Sequence, residues 1–371
     1  MSSLPITSMA TPSSPIPLIS TARFHRRLTL PTTHGPQPLT YALVGSDNPT
    51  APTILFVPGM FASRYLGIPQ HILAERSGIR MLIIDRFGMG GSADVPLARR
   101  LSTWCEVVPA LLQELRIEKV DIVAHSAGTI YTLNMLLHET CRERISGTVV
   151  FLAPWVPPQN SHQTSMQLAQ YIPSPAFKLW HQIPRFFVTQ ATPVLASSGA
   201  AVRTLSAASG TIFNQRQEEE DRTFLEANYR RVEREYGVPV AEQAELARLA
   251  VNYMFSENTV GANSEALQCL RKGEGADWGV VGEYGSWVSG FVEQEKRRRR
   301  DGGDGRVGIR VRVFYAAKDA LTGRKGQDYF EQCWRDVAEG VDFESKWVPG
   351  TDHDTVSQAA EVWEQIFGML R

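Results

Sequence analysis

Apolar and polar positions follow two rhythms along this chain. Short, nearly continuous apolar runs alternate with longer stretches whose apolar residues recur every three or four positions. The segments "ARFHRRLTLP" (22–31) and "PLTYALVG" (38–45) read as two strands joined by the turn-rich "TTHGPQ". "TILFV" (53–57), "IRMLIID" (79–85), "KVDIVA" (119–124) and "GTVVFLAP" (147–154) read as buried strands. Between them, Trp104, Val107, Val108, Leu111, Leu112 and Leu115 form a helical stripe over 104–115. Thr103 with Glu106 predicts a capping box at its start. A helix follows the strand ending at Ala124, with Ile130, Leu133, Leu136 and Leu137 on one side.

From 156 to 276 the alternation breaks into helical, aromatic-rich sequence with no convincing strand. It resumes with a helix at 278–300, the strand "IRVRVFYA" (309–316), a helix at 327–339, the strand "VDFESKWV" (341–348) and a final helix at 355–370. Strands alternating with helices predict an α/β fold: a mostly parallel central sheet with helices on both faces. The stretch 156–276 then reads as a helical cap inserted before the penultimate strand. Core segments lie at 23–155 and 277–371, and residues 1–22, rich in Pro, Ser and Thr, read as a disordered tail.

Composition narrows the classes. Of 371 residues, 43 % are hydrophobic and 21 % charged, with a formal net charge of −1. That balance suits a globular protein and gives no global attraction to nucleic acid or an anionic membrane. No apolar run reaches the length of a membrane span. Cys105, Cys141, Cys269 and Cys333 are far apart and form no C-x-x-C, so they read as free thiols and no metal site is expected. The N-terminus has no charged start followed by an apolar core, and its four early prolines oppose an amphipathic transit helix. A cytoplasmic location is the default expectation.

The candidate chemistry starts in "DIVAHSAGTIY" (121–131), where a strand-like run stops at Ser126 and small residues follow. A serine hydroxyl needs a base within hydrogen-bond reach and donors for an oxyanion. A tight strand-to-helix turn exposes such a serine and aims the next backbone N–H at a reacting carbonyl. Small residues two before and two after it, here Ala124 and Gly128, prevent clashes in that turn.

Five motifs, each after an expected strand, appear in one order: "VPGM" (57–60), "DRFGMGGSA" (85–93), "AHSAG" (124–128), "AAKDALT" (316–322) and "GTDHD" (350–354). In this order they resemble the α/β-hydrolase family over residues 38 to 371. The resemblance implies Ser126 as nucleophile, His353 as general base and Asp319 as the acid that orients the imidazole. It implies the backbone N–H groups of Met60 and Ala127 as the oxyanion hole. Two positions depart from the family pattern. Pro58 stands where a histidine is usual, and Ala124 where glycine is usual in G-x-S-x-G. Asp352 and Asp354 are weaker rivals for the acid.

Other signals carry less. "GMGGSA" (88–93) fits G-x-G-x-x-A, but Asp94-Val95-Pro96 follows where a nucleotide-binding helix would begin, so it reads as a tight turn. "EKRRRRDGGDG" (295–305) reads as a cationic helix end, and "RQEEEDR" (216–222) as a solvated helix start. No cofactor is implied. The expected function is a serine hydrolase acting on an ester, thioester or related acyl bond of a hydrophobic small molecule. Serine at the elbow argues against the family's aspartate-dependent epoxide hydrolases and dehalogenases. The alternatives are acyl transfer, C–C cleavage, lyase or cyclase chemistry with the same residues, or a non-catalytic ligand-binding member of the fold.

Overall fold

The computed structural model describes residues 15–61, 63–182, 215–302, 308–337 and 341–370. Its described residues form one eight-stranded sheet in the order β1-β2-β4-β3-β5-β6-β7-β8. The strands are β1 (Arg26–Thr32), β2 (Gly35–Gly45), β3 (Thr53–Val57), β4 (Arg80–Ile84), β5 (Val120–His125), β6 (Ile145–Leu152), β7 (Arg310–Ala316) and β8 (Asp342–Val348). β1 and β2 pair antiparallel, as do β2 and β4, and every other pair is parallel.

The continuous apolar runs follow from burial of both sheet faces. In β3, Leu55 and Val57 join one core while Ile54 and Phe56 join the other. In β6, Val149 and Phe151 face the first core, and Val150 and Leu152 the second. Period-two alternation thus divides each run between two apolar layers, so no polar face is needed.

Helices α1 (Pro15–Ile19), α2 (His71–Arg76), α3 (Arg100–Glu114), α4 (Gly128–Leu137) and α5 (Glu139–Glu143) precede or interleave with β1–β6. Between β6 and β7 the described residues form α6 (Pro158–Ser161), α7 (Thr164–Ala169), α8 (Gln215–Tyr236), α9 (Val240–Ser256), α10 (Gly261–Cys269) and α11 (Tyr284–Gly302). The final helices are α12 (Gly323–Arg335) and α13 (Ala360–Gly368). Segments between β6 and β7 pack on the loops that follow β3 and β4. Gly261 N–H donates to Gly88 O at 2.9 Å, and the Trp180 indole N–H points to Met60 Sδ at 3.2 Å.

Three expectations need correction. Helix α3 begins at Arg100, so Thr103 lies inside it and no capping box forms. Glu106 instead accepts from Thr33 N–H at 2.7 Å and Thr33 Oγ1 at 2.9 Å, tying the helix to the β1–β2 turn. The N-terminal tail is also shorter than expected. Residues 15–19 are helical and Ile19 is buried, because its side chain joins the second core. Residues 1–14 lie outside the described residues. The β1–β2 turn is shorter too, since pairing continues to Thr32 opposite Gly35.

Candidate active site

Ser126 stands at the carboxyl end of β5, near the middle of the sheet. Its N–H donates to Leu152 O at 3.1 Å, the last rung between β5 and β6. The chain then reverses, with Thr129 N–H donating to Ser126 O at 2.9 Å. Ser126 itself takes φ 49°, in the left-handed region that side-chain-bearing residues rarely adopt. The neighbours are small because space is absent. A Cβ on Gly128 would lie 2.1 Å from Val57 O. Ala124 has room for its methyl, fully buried in the first core and in register with Val57 and Phe151.

The structure brings Ser126, His353 and Asp319 together. Ser126 Oγ lies 2.7 Å from His353 Nε2, and His353 Nδ1 lies 2.9 Å from Asp319 Oδ2. Asp319 follows β7 and His353 follows β8, so loops from three strand ends converge. A carboxylate only accepts, so Nδ1 carries the imidazole proton and Nε2 is left to accept from Oγ–H. Asp319 is held by further donors: Leu321 N–H at 2.9 Å, Thr322 N–H at 2.8 Å and Thr322 Oγ1 at 2.6 Å. Asp352 accepts within its own loop, from Thr355 N–H at 2.7 Å and Asp354 N–H at 3.0 Å. Asp319 is therefore the carboxylate on Nδ1.

The electrostatics are those of a dry, paired site. Burial pushes the His353 imidazole down. Asp319, by charge and hydrogen bond, with Asp354 and Asp352 behind it, outweighs burial and raises it above the ordinary histidine value. Burial raises Asp319, but the His353 charge and hydrogen bond and the Thr322 donors hold it below the usual carboxylate range. His125, adjacent to the serine, is pushed down to about 4 by burial and by the His353 charge. It stays neutral, and its Nε2–H donates to His353 O at 2.8 Å.

Met60 and Ala127 each offer a backbone N–H that donates to no acceptor among the described residues. Gly59 presses close to the serine: a Cβ there would meet His125 Nδ1 at 2.9 Å and Ser126 Cβ at 3.1 Å. Pro58 contributes a carbonyl rather than a donor, and that carbonyl accepts from Arg86 Nη1.

Sequence reasoning did not single out Arg86, Glu265 or His125. Arg86 lies in "DRFGMGGSA", where the glycines drew the eye, and Glu265 is 179 residues away from it. The "GMGGSA" glycines do form a tight turn, with Gly88 at φ 75° and Gly90 at φ 54°. Among the described residues, no group of three or more His, Cys, Asp or Glu side chains could hold a metal ion.

A cavity of about 510 Å³ lies between α8 and α9 on one side and residues 64–76 on the other. Leu66, Ile72, Val232, Leu246, Ala250 and Met254 give it an apolar wall. It reaches Gly59, Met60 and His125, whereas Ser126 and His353 do not line it.

No curated protein matches the sequence. Solved structures do resemble it. A carboxylesterase from Nitrososphaera gargenis superposes with TM-score 0.52 at 14 % identity, covering 92 % of this chain and 97 % of that one. The enol-lactonase of Burkholderia xenovorans LB400 gives TM-score 0.51 at 13 % identity, covering 92 % and 99 %. The esterase RhEst1 from a Rhodococcus species gives 0.52 at 14 %, covering 93 % and 99 %. At such identities the likeness speaks to the fold. The model of the alpha/beta hydrolase family matches residues 54–365, from β3 into the final helix, and the chain belongs to that family.

Proposed function

We propose that the protein is a serine hydrolase that cleaves an ester, thioester or related acyl bond of a hydrophobic small molecule. The observation that carries this reading is the hydrogen-bonded chain from Ser126 Oγ through His353 to Asp319, at 2.7 and 2.9 Å, with Ser126 held at φ 49°.

In this mechanism His353 Nε2 takes the Oγ proton as Ser126 attacks the carbonyl carbon. The tetrahedral oxyanion is held by the N–H groups of Met60 and Ala127. Collapse expels the leaving group, which takes the proton from His353. Water then enters, loses a proton to the same nitrogen and releases the acid from the acyl-enzyme. Asp319 keeps Nδ1 protonated and stabilises the imidazolium at each transfer.

The described helices α6 to α10, between β6 and β7, act as a cap over this end of the sheet. The contacts Gly261–Gly88 and Trp180–Met60 support that role. The apolar cavity supports a hydrophobic substrate, since its size falls within the usual range for small-molecule sites. Substrate reaches Oγ past Gly59 and Met60.

The test is turnover of p-nitrophenyl esters of increasing acyl length, with acid-quenched intact mass to trap the acyl-enzyme. kcat/KM should rise with chain length until the cavity is filled, by up to about fourfold per methylene if each gains close to 0.8 kcal/mol. An acyl adduct should accumulate on Ser126. Release of p-nitrophenol with no free acid, only when an alcohol or amine is added, would replace hydrolysis by acyl transfer. Tight binding of intact ester with no product would replace both by ligand binding.

A further inference from the structure

Arg86 is completely buried, and its guanidinium faces the loop after β3. Nη2 donates to Gly59 O at 2.6 Å and Nη1 to Pro58 O. Its other edge is fixed by Glu265 of α10, with Nε to Oε1 at 2.6 Å and Nη2 to Oε2 at 3.0 Å. The flat face rests on the Tyr131 ring, 4.7 Å from its centroid. One guanidinium thus holds two successive carbonyls while it is itself held on a second edge and a face.

The carbonyl of Gly59 and the N–H of Met60 belong to one planar peptide, and no peptide bond among the described residues is cis. In a trans peptide these two groups point in opposite directions. Fixing Gly59 O on Arg86 therefore turns Met60 N–H away from the guanidinium, while Gly59 lies against Ser126. We infer that Arg86, clamped by Glu265, is the positioning residue that aims Met60 N–H at the oxyanion. This rests on the acyl-enzyme reading above. It also gives the cap a part in catalysis, because Glu265 comes from α10 while Arg86 follows β4.

The experiment compares the native protein with Arg86→Lys and Glu265→Gln. The readouts are fluorophosphonate labelling, the kcat and KM of an ester, the pH profile, and affinity for a phenylboronic acid. The boronate forms a tetrahedral adduct on a serine and places an oxygen where the oxyanion would sit. A lysine retains the charge but cannot fork to both carbonyls and the carboxylate. Arg86→Lys should lose roughly 100-fold in kcat, the scale of one oxyanion donor, with KM within about threefold. Boronate affinity should fall in parallel, and the acid limb of the pH profile should stay in place. Glu265→Gln should show a smaller loss of the same kind, about three- to tenfold in kcat. Arg142→Lys serves as the stability control. Arg142 pairs with Glu295 at 2.6 Å between α5 and α11, and its loss should lower the melting temperature without moving kcat.

A folded Arg86→Lys protein that keeps its kcat, or that loses activity through KM alone, or that keeps its boronate affinity, would overturn the inference. If Arg86→Lys does not fold, an unchanged kcat in Glu265→Gln does the same. A native protein that is folded but unlabelled would remove the acyl-enzyme reading and this inference with it. A labelled native protein with indifferent variants would remove only the inference.

Discussion

At the scale of single residues, the site is set by what each position leaves no room for. Gly128 abuts Val57 O, so Gly128→Ala should destabilise the fold by about 1–3 kcal/mol and abolish turnover, as thermal unfolding and ester assays would register. Ala124 is different, since its methyl fills core space in a strand. Ala124→Gly should lower stability by about 0.5–1 kcal/mol and bring no gain in activity. Restored or enhanced kcat in that variant would mean that the usual glycine matters here after all. The proposed base role requires a neutral His353, and Asp319, Asp354 and Asp352 raise its pKa against the opposing effect of burial. Activity should therefore be full at high pH and fall as pH drops through a midpoint above about 6.5. A kcat/KM profile that stays flat well below that range would contradict the role of His353. His125 titrates only near about 4 and does not supply that limb. The convergence of Ser126, Asp319 and His353 was legible in the sequence because each follows an apolar strand whose end it marks. Arg86 with Glu265 was not legible. A pairing across 179 residues leaves no periodicity in the chain.

At the scale of elements, strands were read better than helix starts. Apolar runs buried on both faces have one explanation each, whereas Thr103–Glu106 matched a capping pattern inside a helix that begins at Arg100. The reason is tertiary: Glu106 serves the β1–β2 turn instead of its own helix. Pro109 inside α3 shows a similar exchange. It has no N–H, and the Cys105 carbonyl four residues back accepts the Cys141 thiol at 3.2 Å. Helix α10 sits directly on the turn after β4, and a Cβ on Gly261 would lie 2.0 Å from Phe87 O. Gly261→Ala should push α10 away, weaken the Arg86–Glu265 clamp and lower both stability and kcat. Denaturant unfolding and steady-state kinetics would separate the two effects. A variant with native kcat would show that α10 can shift without disturbing the site. Glu265→Ala should be more severe for stability, by about 3–5 kcal/mol, because it strands the buried Arg86 without its carboxylate.

At the scale of the whole molecule, one sheet carries two cores, and the site lies where strand ends meet the helices inserted between β6 and β7. Among the described residues, the helices between β6 and β7 were legible as a loss of strand rhythm after residue 155. The N-terminal contribution was not, because proline- and serine-rich sequence reads as tail. Ile19 nevertheless joins the second core, and α1 packs on α9. Removing residues 1–24 should lower stability by several kcal/mol, at about 1.5–3 kcal/mol for each buried large side chain, and should open the cavity wall at Leu18. A truncated protein that melts with the native one would show that this packing is dispensable. The central claim is that Ser126 is an activated nucleophile, and the most direct measurement is intact mass after incubation with a fluorophosphonate. One adduct on the native protein, absent in Ser126→Ala and strongly slowed in His353→Ala, is the result the account requires. A folded native protein that gains no adduct, or that gains the same adduct in Ser126→Ala, would contradict it.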